Sequence, residues 1–514
     1  MGQYCYLGNR FNEYIMNINQ KYVVNPAYKF RNDIHRVILT NNDSSAFDTQ
    51  NESNVINGFT WRIHPYIAYI FSLFNGENSI SDIFFILNND IELSIEEFCS
   101  SIDKFINNEE NIIITLPGMG TNAIPKNFLI NNEQNGIIRK KLLPDIDINK
   151  MMLNLDMTSV RNYIPNEMTL MLNNVCSTNC IYCYADRKHH VEKSLTIERI
   201  YEILKEAKHL NMRDVQLDGG DFLIYPYWHE VLVKMSEYGF HPTISTKTPL
   251  TKEKVDKLIY ANVKKIQLSL DSVVNDEIIK ILNVDKHYLE RVIQGIELLN
   301  NAHIQIILKP VITNINDSVD SMAQLISFAS KYEMISDIYL TPADYSQFKP
   351  FTYQSSKSQL SILREKINHW KELSKKNVFL LGYGEPILQR QKEETFKKRS
   401  ACSGNMNAFF VLPDGKVTLC EQLYWHPFFI LGDLNKQSIM EMWNSPKAHS
   451  LWNISQKEIQ EGSPCKKCGE FEECRRGLGN CWRLAVESYG NDYYDYPAPN
   501  CPKSPVVTKD MFIK

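Results

Sequence analysis

Three cysteines fall within eight residues of this chain, in the run Cys176-Ser-Thr-Asn-Cys180-Ile-Tyr-Cys183. Thiolates this close on one loop can bind three irons of a [4Fe–4S] cluster, which four cysteines normally hold. Three ligands leave one iron open to a substrate or cofactor. A structural zinc site needs a fourth ligand, and the histidines nearby are His189 and His190. The spacing therefore favours an iron–sulfur cluster with an open iron over a zinc site or buried core cysteines.

Seven more cysteines crowd the tail, whereas positions 184–401 contain none. They are Cys402, Cys420, Cys465, Cys468, Cys474, Cys481 and Cys501. Because the first residues show no export signal, this clustering indicates metal binding rather than disulfides. A zinc ribbon of four tail cysteines is an alternative, but seven exceed what one zinc ion needs.

The composition is that of a globular protein of several domains, with 514 residues, 43% hydrophobic and 23% charged. A net charge of −4 gives no electrostatic case for nucleic acid or an anionic membrane surface. No apolar run reaches the roughly 18 residues of a spanning helix, and no signal peptide is present. We therefore predict a cytoplasmic protein that binds neither nucleic acid nor membrane.

Residues 1–135 are predicted to form a winged-helix-like α+β module. The chain shows, in order, an extended stretch, three helical patterns and a β-rich run, at residues 28–39, 64–74, 80–87, 95–106 and 111–117. Ser79 is a predicted N-cap, and Ser94 with Glu97 forms a predicted capping box. The third helix is acidic, which argues against insertion into a DNA groove.

From about residue 160 to 345, strand-like runs alternate with amphipathic helical stretches. The strand-like runs lie at residues 168–172, 214–217, 242–246, 265–270, 304–309 and 337–340. Six such β–α units predict a parallel sheet. The cysteine loop follows the first strand, at the strand ends where barrels of this class carry their active sites. Residues 346–400 read as a bridging segment with a helix at 359–374, and 401–514 as a separate cysteine-rich domain.

The C-x3-C-x2-C loop resembles the signature of the radical SAM superfamily. The resemblance implies a partial (β/α)6 TIM-like barrel, whose open iron binds S-adenosylmethionine and cleaves it to a 5′-deoxyadenosyl radical. The tail resembles the seven-cysteine SPASM domain, which carries two auxiliary [4Fe–4S] clusters. The resemblance thus implies S-adenosylmethionine and three [4Fe–4S] clusters as cofactors. It assigns Cys465, Cys468, Cys474 and Cys501 to an outer cluster, and Cys402, Cys420 and Cys481 to an inner cluster.

The tail departs from the SPASM pattern between Cys474 and Cys481. Six residues separate them, where the family usually has three. Relatives that close the inner cluster often add a cysteine just upstream of the first tail cysteine, and residues 392–401 contain none. We hypothesise that the inner cluster keeps an open iron that binds a substrate thiolate.

The resemblance also implies which residues contact S-adenosylmethionine. The family usually has Gly-Gly-Glu after the second strand, and this chain has Gly219-Gly220-Asp221, which would receive the methionine amino group. The other implied contacts are Tyr182 at the adenine edge, Ser245 and Lys247 near the methionine carboxylate, Ser269 and Asp271 at the ribose, and Val311 beside the adenine.

This arrangement of modules resembles the maturases of ribosomally made peptides. A precursor peptide would bind the N-terminal module by adding its leader as a strand, and a flavodoxin or ferredoxin would supply electrons. The leading expectation is a thioether cross-link from a cysteine sulfur of the peptide to carbon. The alternatives are carbon–carbon or carbon–oxygen cross-links, formylglycine formation, and a non-catalytic iron–sulfur scaffold that binds peptides. Asp344, Tyr345 and Tyr339, near the sixth strand, are candidates for facing the substrate.

Overall fold

The computed structural model describes residues 4–9, 12–41, 60–88, 93–117, 119–133, 136–143, 147–350, 352–381, 396–399, 401–477 and 479–507. The chain divides into two compact units, Met1–Ile164 and Pro165–Lys514. Among the described helices, none combines the length and the apolar character needed to cross a bilayer.

The first unit is built from small antiparallel sheets and short helices. Its strands are β1 (Tyr4–Asn9), β2 (Asn12–Asn17), β3 (Lys21–Val24), β4 (Tyr28–Asn32), β5 (Val37–Asn41), β6 (Thr60–Ile63), β7 (Asn75–Ser79), β8 (Ile112–Leu116), β9 (Gly120–Ile124) and β10 (Leu129–Asn131). Its helices are α1 (Pro65–Ser72), α2 (Ile80–Leu87), α3 (Ile95–Asp103) and α4 (Ile148–Leu153). The sheets have the orders β1-β2, β4-β5-β6, β10-β3-β7 and β8-β9.

The predicted helix starts in this unit are confirmed. Ser79 accepts a hydrogen bond from the backbone N–H of Asp82 at 3.1 Å, and Ser94 accepts one from Glu97 at 3.2 Å, each within a reciprocal capping box. The stretch 28–39, expected as one extended run, is instead the hairpin β4–β5. Its turn holds a buried ion pair in which Arg36 Nε lies 2.8 Å from Asp33 Oδ2, and this pair fixes the reversal.

The second unit alternates strands and helices before ending in short elements. Its strands are β11 (Glu167–Met171), β12 (Asp214–Asp218), β13 (Ile244–Thr246), β14 (Lys265–Leu268), β15 (Gln305–Leu308), β16 (Val311–Ile312), β17 (Ile335–Pro342), β18 (Asn377–Leu380), β19 (Ala408–Val411), β20 (Lys416–Thr418) and β21 (Ile430–Asp433). Its helices are α5 (Ile197–His209), α6 (Trp228–Glu237), α7 (Lys252–Tyr260), α8 (Asn275–Leu282), α9 (Tyr288–Asn301), α10 (Val319–Ala329), α11 (Lys357–Ser374), α12 (Ile439–Trp443), α13 (Pro446–Trp452), α14 (Phe471–Arg476) and α15 (Trp482–Tyr489).

The six predicted strands of the barrel are present as β11 to β15 and β17. β11 and β12 pair in parallel, and β13, β14, β15 and β17 form a second parallel set. No ladder joins these two described sets. The backbone N–H of Thr243, before β13, donates to the side chain of Gln216 on β12 at 3.0 Å. The unit is therefore a mixed α/β fold with an open, partial barrel.

Two strands outside the predicted barrel extend its sheets. β18 pairs in parallel with β17, inside a segment expected to be only a helical bridge. β19 pairs in parallel with β11, so the tail continues the first barrel sheet through β20 and β21. Phe409, Val411 and Trp443 of the tail belong to the same buried core as the barrel strands. The first part of the tail is thus structurally continuous with the barrel.

Candidate iron–sulfur and S-adenosylmethionine site

The three-cysteine loop is anchored on the end of helix α8. The backbone N–H of Asn179 donates to the carbonyl of Leu282 at 2.8 Å, and that of Ile181 donates to Ile281 at 3.0 Å. Carbonyls in the last turn of a helix have no partner within the helix. The loop supplies donors to them, and α8 in return fixes the loop after β11.

The three thiols of this loop are close enough for their charges to interact. The pKa of Cys176 is raised to about 12, mainly by burial, with smaller contributions from thiolates at Cys183 and Cys180 and an opposing one from Arg187. Arg187 also donates to the carbonyl of Cys176, a contact that the sequence did not indicate. Thiols that resist ionisation when alone fit a bound metal cluster, because iron supplies the positive charge that stabilises thiolates.

The Gly219-Gly220 turn packs directly under the entry to this loop. The backbone N–H of Gly220 donates to Asn173 O at 2.8 Å, and that of Asp221 donates to Val175 O at 2.7 Å. A Cβ at position 220 would lie 2.0 Å from Val175 O, and Gly219 has φ of +118°. The two glycines are required because the backbones approach too closely for any side chain.

Asp221 holds the end of β12 to the segment after β13. Its carboxylate accepts from the hydroxyl of Thr246 at 2.7 Å, and from the backbone and hydroxyl of Thr248 at 2.9 and 2.8 Å. The residue is 4% exposed. Its predicted contact with the methionine ammonium stays a prediction, and that contact would share oxygens already in use. Thr246 and Thr248 were not predicted, although their polar side chains at a strand end were a visible signal.

Four of the predicted cofactor residues meet around Asp271, which is fully buried. Tyr182 donates its hydroxyl to Asp271 Oδ2 at 2.5 Å, and the backbone N–H of Val311 donates to Oδ1 at 2.9 Å. Lys247 Nζ lies 3.3 Å from Asp271 Oδ1 and donates to the carbonyl of Ser269 at 2.9 Å. The predicted residues therefore form one connected network across β13, β14 and β16, together with the cysteine loop.

Two further contacts complete this network. The hydroxyl of Tyr288 donates to the carbonyl of Lys247 at 2.5 Å, and Asn316 donates to the carbonyl of Asp271 at 2.6 Å. Ser245, predicted near the methionine carboxylate, accepts from the side chain of Gln267 at 2.8 Å. The ligand contacts of these residues stay predictions, whereas their mutual positions are observed.

The four cysteines assigned to the outer cluster line one cavity of about 460 Å³. These cysteines are Cys465, Cys468, Cys474 and Cys501. Burial raises the pKa of Cys501, and thiolates at the other three raise it further. Four thiols facing one cavity fit a cluster ligated by protein alone. In the described part of the chain, no three Cys, His, Asp or Glu groups are close enough to hold a single metal ion, as tetrahedral zinc requires.

The other three tail cysteines form a separate group. Burial raises the pKa of Cys420 to about 12, with further contributions from Glu421, Cys481 and Cys402. Cys402 is likewise affected by Cys481. The assignment of the thiols to two clusters stays a prediction. Of residues 392–401, the segment searched for an additional cysteine, 392–395 and 400 lie outside the described residues.

An unpredicted cluster of charged and phenolic groups joins the barrel strand ends to the tail. Burial raises the pKa of Asp218, at the end of β12, although Gly219 and Lys309 oppose the shift. Burial also raises the pKa of Glu421 to about 7, and the charge of Asp218 adds to it. The charge of Asp218, together with burial, raises the pKa of Tyr184, and burial followed by Asp218 raises the pKa of Tyr424. Five groups from distant sequence positions thus share one low-dielectric environment, as reactive sites often do.

A cavity of about 560 Å³ lies beside this cluster. Tyr424, Trp425 and Phe428 supply aromatic walls, and Asp186 and Asp492 supply carboxylates. Its size is within the range of small-molecule and peptide side-chain sites.

The structure describes all three residues that were predicted to face the substrate. Tyr339 is 4% exposed and stacks on Phe379 of β18 at 5.0 Å, which gives it a packing role. Asp344 is exposed and lies 3.6 Å from Arg483. Burial raises the pKa of Tyr345, and Glu487 adds to the shift. Contact of these three with a substrate stays a prediction.

Comparison with known families agrees with these two sites. Residues 170–328 match the Radical SAM superfamily, and residues 402–469 match SPASM, an iron–sulfur cluster-binding domain. The first match spans the three-cysteine loop and the Asp271 network. The second begins at Cys402, includes Cys420, Cys465 and Cys468, and ends before Cys474.

The chain is similar to several characterised proteins. The sporulation killing factor maturation protein SkfB of Bacillus subtilis is 22% identical over 51% of this chain and 62% of SkfB. The subtilosin biosynthesis protein AlbA of the same species is 21% identical over 64% of this chain and 70% of AlbA. A probable GTP 3′,8-cyclase of Pyrococcus abyssi is 27% identical over 33% of this chain. The chain spans 54% of that cyclase, so it covers less than two thirds of both the cyclase and SkfB.

The fold is similar to that of a solved structure along most of the chain. Streptococcus suis SuiB, bound to its precursor peptide SuiA, has a TM-score of 0.62 and covers 93% of this chain and 99% of its own. Sequence identity is 14%, so this likeness shows the fold alone.

Proposed function

Since the chain combines a radical SAM enzyme domain with a SPASM iron–sulfur domain, we propose that it modifies a ribosomally made precursor peptide by radical chemistry. The observation that carries this proposal is the joint occurrence of both domains with a separate N-terminal unit. The names of SkfB and AlbA refer to a killing factor and a bacteriocin, and SuiB was solved with a precursor peptide. A cytoplasmic location and a flavodoxin or ferredoxin donor are part of the same proposal.

The leader of the peptide would bind the first unit by extending a sheet. Among the described strands, β8 pairs with β9 alone, and its Ile113 and Leu116 are 59% and 39% exposed. A strand added to this edge would gain main-chain hydrogen bonds and cover two apolar side chains. Replacing both with lysine should weaken leader binding in a fluorescence anisotropy assay without changing iron content.

Cys176, Cys180 and Cys183 would hold a [4Fe–4S] cluster, and that cluster would supply the electron that cleaves S-adenosylmethionine. Lys247, held by Asp271, offers a cation to the carboxylate of that cofactor. Asp218 and Glu421 lie at the barrel mouth, where a buried carboxylate can accept a proton from the peptide. The cavity with Tyr424 and Trp425 would hold neighbouring side chains.

The bond we propose is a thioether from a substrate cysteine sulfur to carbon. The carbon would lose a hydrogen atom to the 5′-deoxyadenosyl radical, the thiol would lose its proton, and an auxiliary cluster would accept the remaining electron. The three-thiol set of Cys402, Cys420 and Cys481 supports it, because such a set leaves one iron for a substrate thiolate. A carbon–carbon or carbon–oxygen cross-link is the alternative outcome of the same experiment.

The test is anaerobic incubation of the reduced protein with S-adenosylmethionine and the peptide encoded beside it. We expect 5′-deoxyadenosine and a peptide lighter by two hydrogens. Iodoacetamide would not label the cross-linked cysteine if a thioether has formed, whereas a carbon–carbon product would still be labelled. Replacing Cys180 with alanine should abolish both products. Deoxyadenosine release without any change in peptide mass, across peptides from the locus, would refute the proposal.

A further inference from the structure

Cationic side chains donate to three of the four outer cysteines. Arg399 Nη2 donates to Cys474 Sγ at 3.1 Å, and Lys503 Nζ donates to Cys468 Sγ at 3.3 Å. Arg475 Nη2 donates to Cys465 Sγ at 3.4 Å. The charged residues lining this cavity are four cations and two carboxylates, namely Lys397, Arg399, Arg475, Lys503, Glu470 and Glu473. Lys503 also lies 3.4 Å from Glu470, and cationic side chains outnumber carboxylates around the four cysteines.

Arg475 is the most deeply placed of these cations. It is 5% exposed, and its Nη2 also donates to the carbonyl of Asp495 at 2.8 Å. Its Nη1 is buried without a hydrogen-bond partner among the described residues. Burying an unsatisfied cationic N–H is costly. A cluster held by the surrounding thiolates would supply both the negative charge and the acceptor atoms that Nη1 lacks.

The unusually long gap between Cys474 and Cys481 builds part of this lining. Its first residue is Arg475, and the carbonyl of its Gly479 accepts from Arg399 Nη2 at 2.8 Å. Arg399 is thereby fixed between Gly479 and Cys474 Sγ. The segment between Cys474 and Cys481 thus provides one cation and anchors a second.

The inner cysteines have a different electrostatic environment. Glu421 directly follows Cys420 in the chain. Arg483 interacts electrostatically with the thiols of Cys481 and Cys420, and it lies 3.9 Å from Glu487 and 3.6 Å from Asp344. Three carboxylates therefore accompany this cation around the inner cysteines.

We propose that Arg399, Arg475 and Lys503 raise the reduction potential of the outer cluster above that of the inner cluster. One-electron reduction adds one negative charge to a [4Fe–4S] cluster, and hydrogen bonds to its sulfur ligands together with local positive charge stabilise that charge. Charged donors are about twice as strong as neutral ones. The three residues act through the cysteine ligands, and they are positioning residues rather than catalytic ones. The inference requires the two tail clusters but no particular peptide.

The test is a redox titration of the full holoprotein followed by electron paramagnetic resonance, without peptide. The barrel signal is identified by its change when S-adenosylmethionine is added, the outer signal by Cys468→Ser and the inner signal by Cys420→Ser. Lys503→Gln and Arg399→Gln should each shift the outer midpoint to a more negative potential and leave the inner midpoint unchanged. Arg475→Gln should also shift the outer midpoint to a more negative potential where it retains about twelve irons per chain. Because Arg475 lines the cavity of Cys402 as well, the inner midpoint is compared only in the Lys503 and Arg399 variants.

Arg476→Gln is the matched control, because Arg476 is exposed and paired with Glu472 at 2.8 Å. It should leave both midpoints unchanged. The inference is overturned if the outer midpoint stays constant in the Lys503 and Arg399 variants, or if Arg476→Gln shifts it equally. A wild-type iron content well below twelve per chain would also overturn the inference, because the chain would then not hold both tail clusters. None of these results depends on peptide modification, so the proposed function is tested separately.

Discussion

Replacing Gly220 with alanine should disable S-adenosylmethionine cleavage while leaving the tail clusters intact. The new Cβ would lie 2.0 Å from Val175 O, whereas ordinary contacts begin near 3.4 Å. The entry to the cysteine loop must therefore retreat by more than 1 Å, which strains the bond from Asp221 N to Val175 O. Overpacking costs about 1–3 kcal/mol and a weakened hydrogen bond about 1 kcal/mol. If this total of about 2–4 kcal/mol adds to the activation barrier for cofactor cleavage, the rate should fall about 30- to 1,000-fold.

The assay is 5′-deoxyadenosine release from the reduced holoprotein without peptide. Gly469→Ala is the matched control, because a Cβ at position 469 meets nothing within 4 Å, and it should keep the wild-type rate. Iron content should fall by at most the third that belongs to the barrel. A Gly220→Ala protein with full iron content and a rate within threefold of wild type would refute the idea that this turn supports the loop.

Three further predictions concern other buried charges. Lys247→Met leaves the fully buried Asp271 without its cation. It should weaken S-adenosylmethionine binding more than about tenfold, as measured by equilibrium dialysis. An unchanged affinity would show that the network around Asp271 does not support binding of the cofactor. Burial raises the pKa of Glu487 to about 7 from 4.5, so wild-type stability should fall as pH rises from about 4.5 through about 7. Glu487→Gln should not lose stability in this pH range, so its free energy of unfolding, measured by pulse proteolysis, should exceed that of the wild type by an amount that grows with pH to at most about 3 kcal/mol. A difference in stability that shrinks as pH rises would contradict this prediction. Arg36→Met leaves Asp33 buried in the core of the first unit without its ion-pair partner, and it should destabilise that unit by about 3–5 kcal/mol. Proteolysis within residues 1–164 should become faster at constant iron content. Combining Asp33→Asn with Arg36→Met should restore part of the lost stability.

Local patterns predicted the elements that depend on neighbouring residues. The barrel strands, the N-cap at Ser79, the capping box at Ser94, and the radical SAM and SPASM assignments were all available from sequence, because each rests on residues a few positions apart. The resemblance also named residues that the fold brings together, including Tyr182, Lys247 and Asp271. Hydrophobic periodicity and short motifs carry this information directly.

The features of the fold and site that the sequence did not predict depend on contacts between residues far apart in the chain. Asp218, Lys309 and Glu421 share one environment although up to two hundred residues separate them, and no spacing in the sequence reveals that proximity. The strand β18 was missed because its four residues carry too little periodic signal. The sequence assigned Gly219 and Gly220, in the turn after β12, to cofactor binding. The structure shows a second reason for glycine at position 220, namely the close approach of its backbone to Val175.

The pairing of β19 with β11 affects how this protein must be synthesised. Glu167 aligns with Ala408, so one side of the opening barrel strand has no neighbour until roughly 240 more residues have left the ribosome. During that interval a row of amide and carbonyl groups next to the cysteine loop is free to pair with another nascent chain. A fragment ending before residue 401 would keep that edge permanently, so aggregation of such a fragment would reflect a missing strand rather than a defect in the barrel.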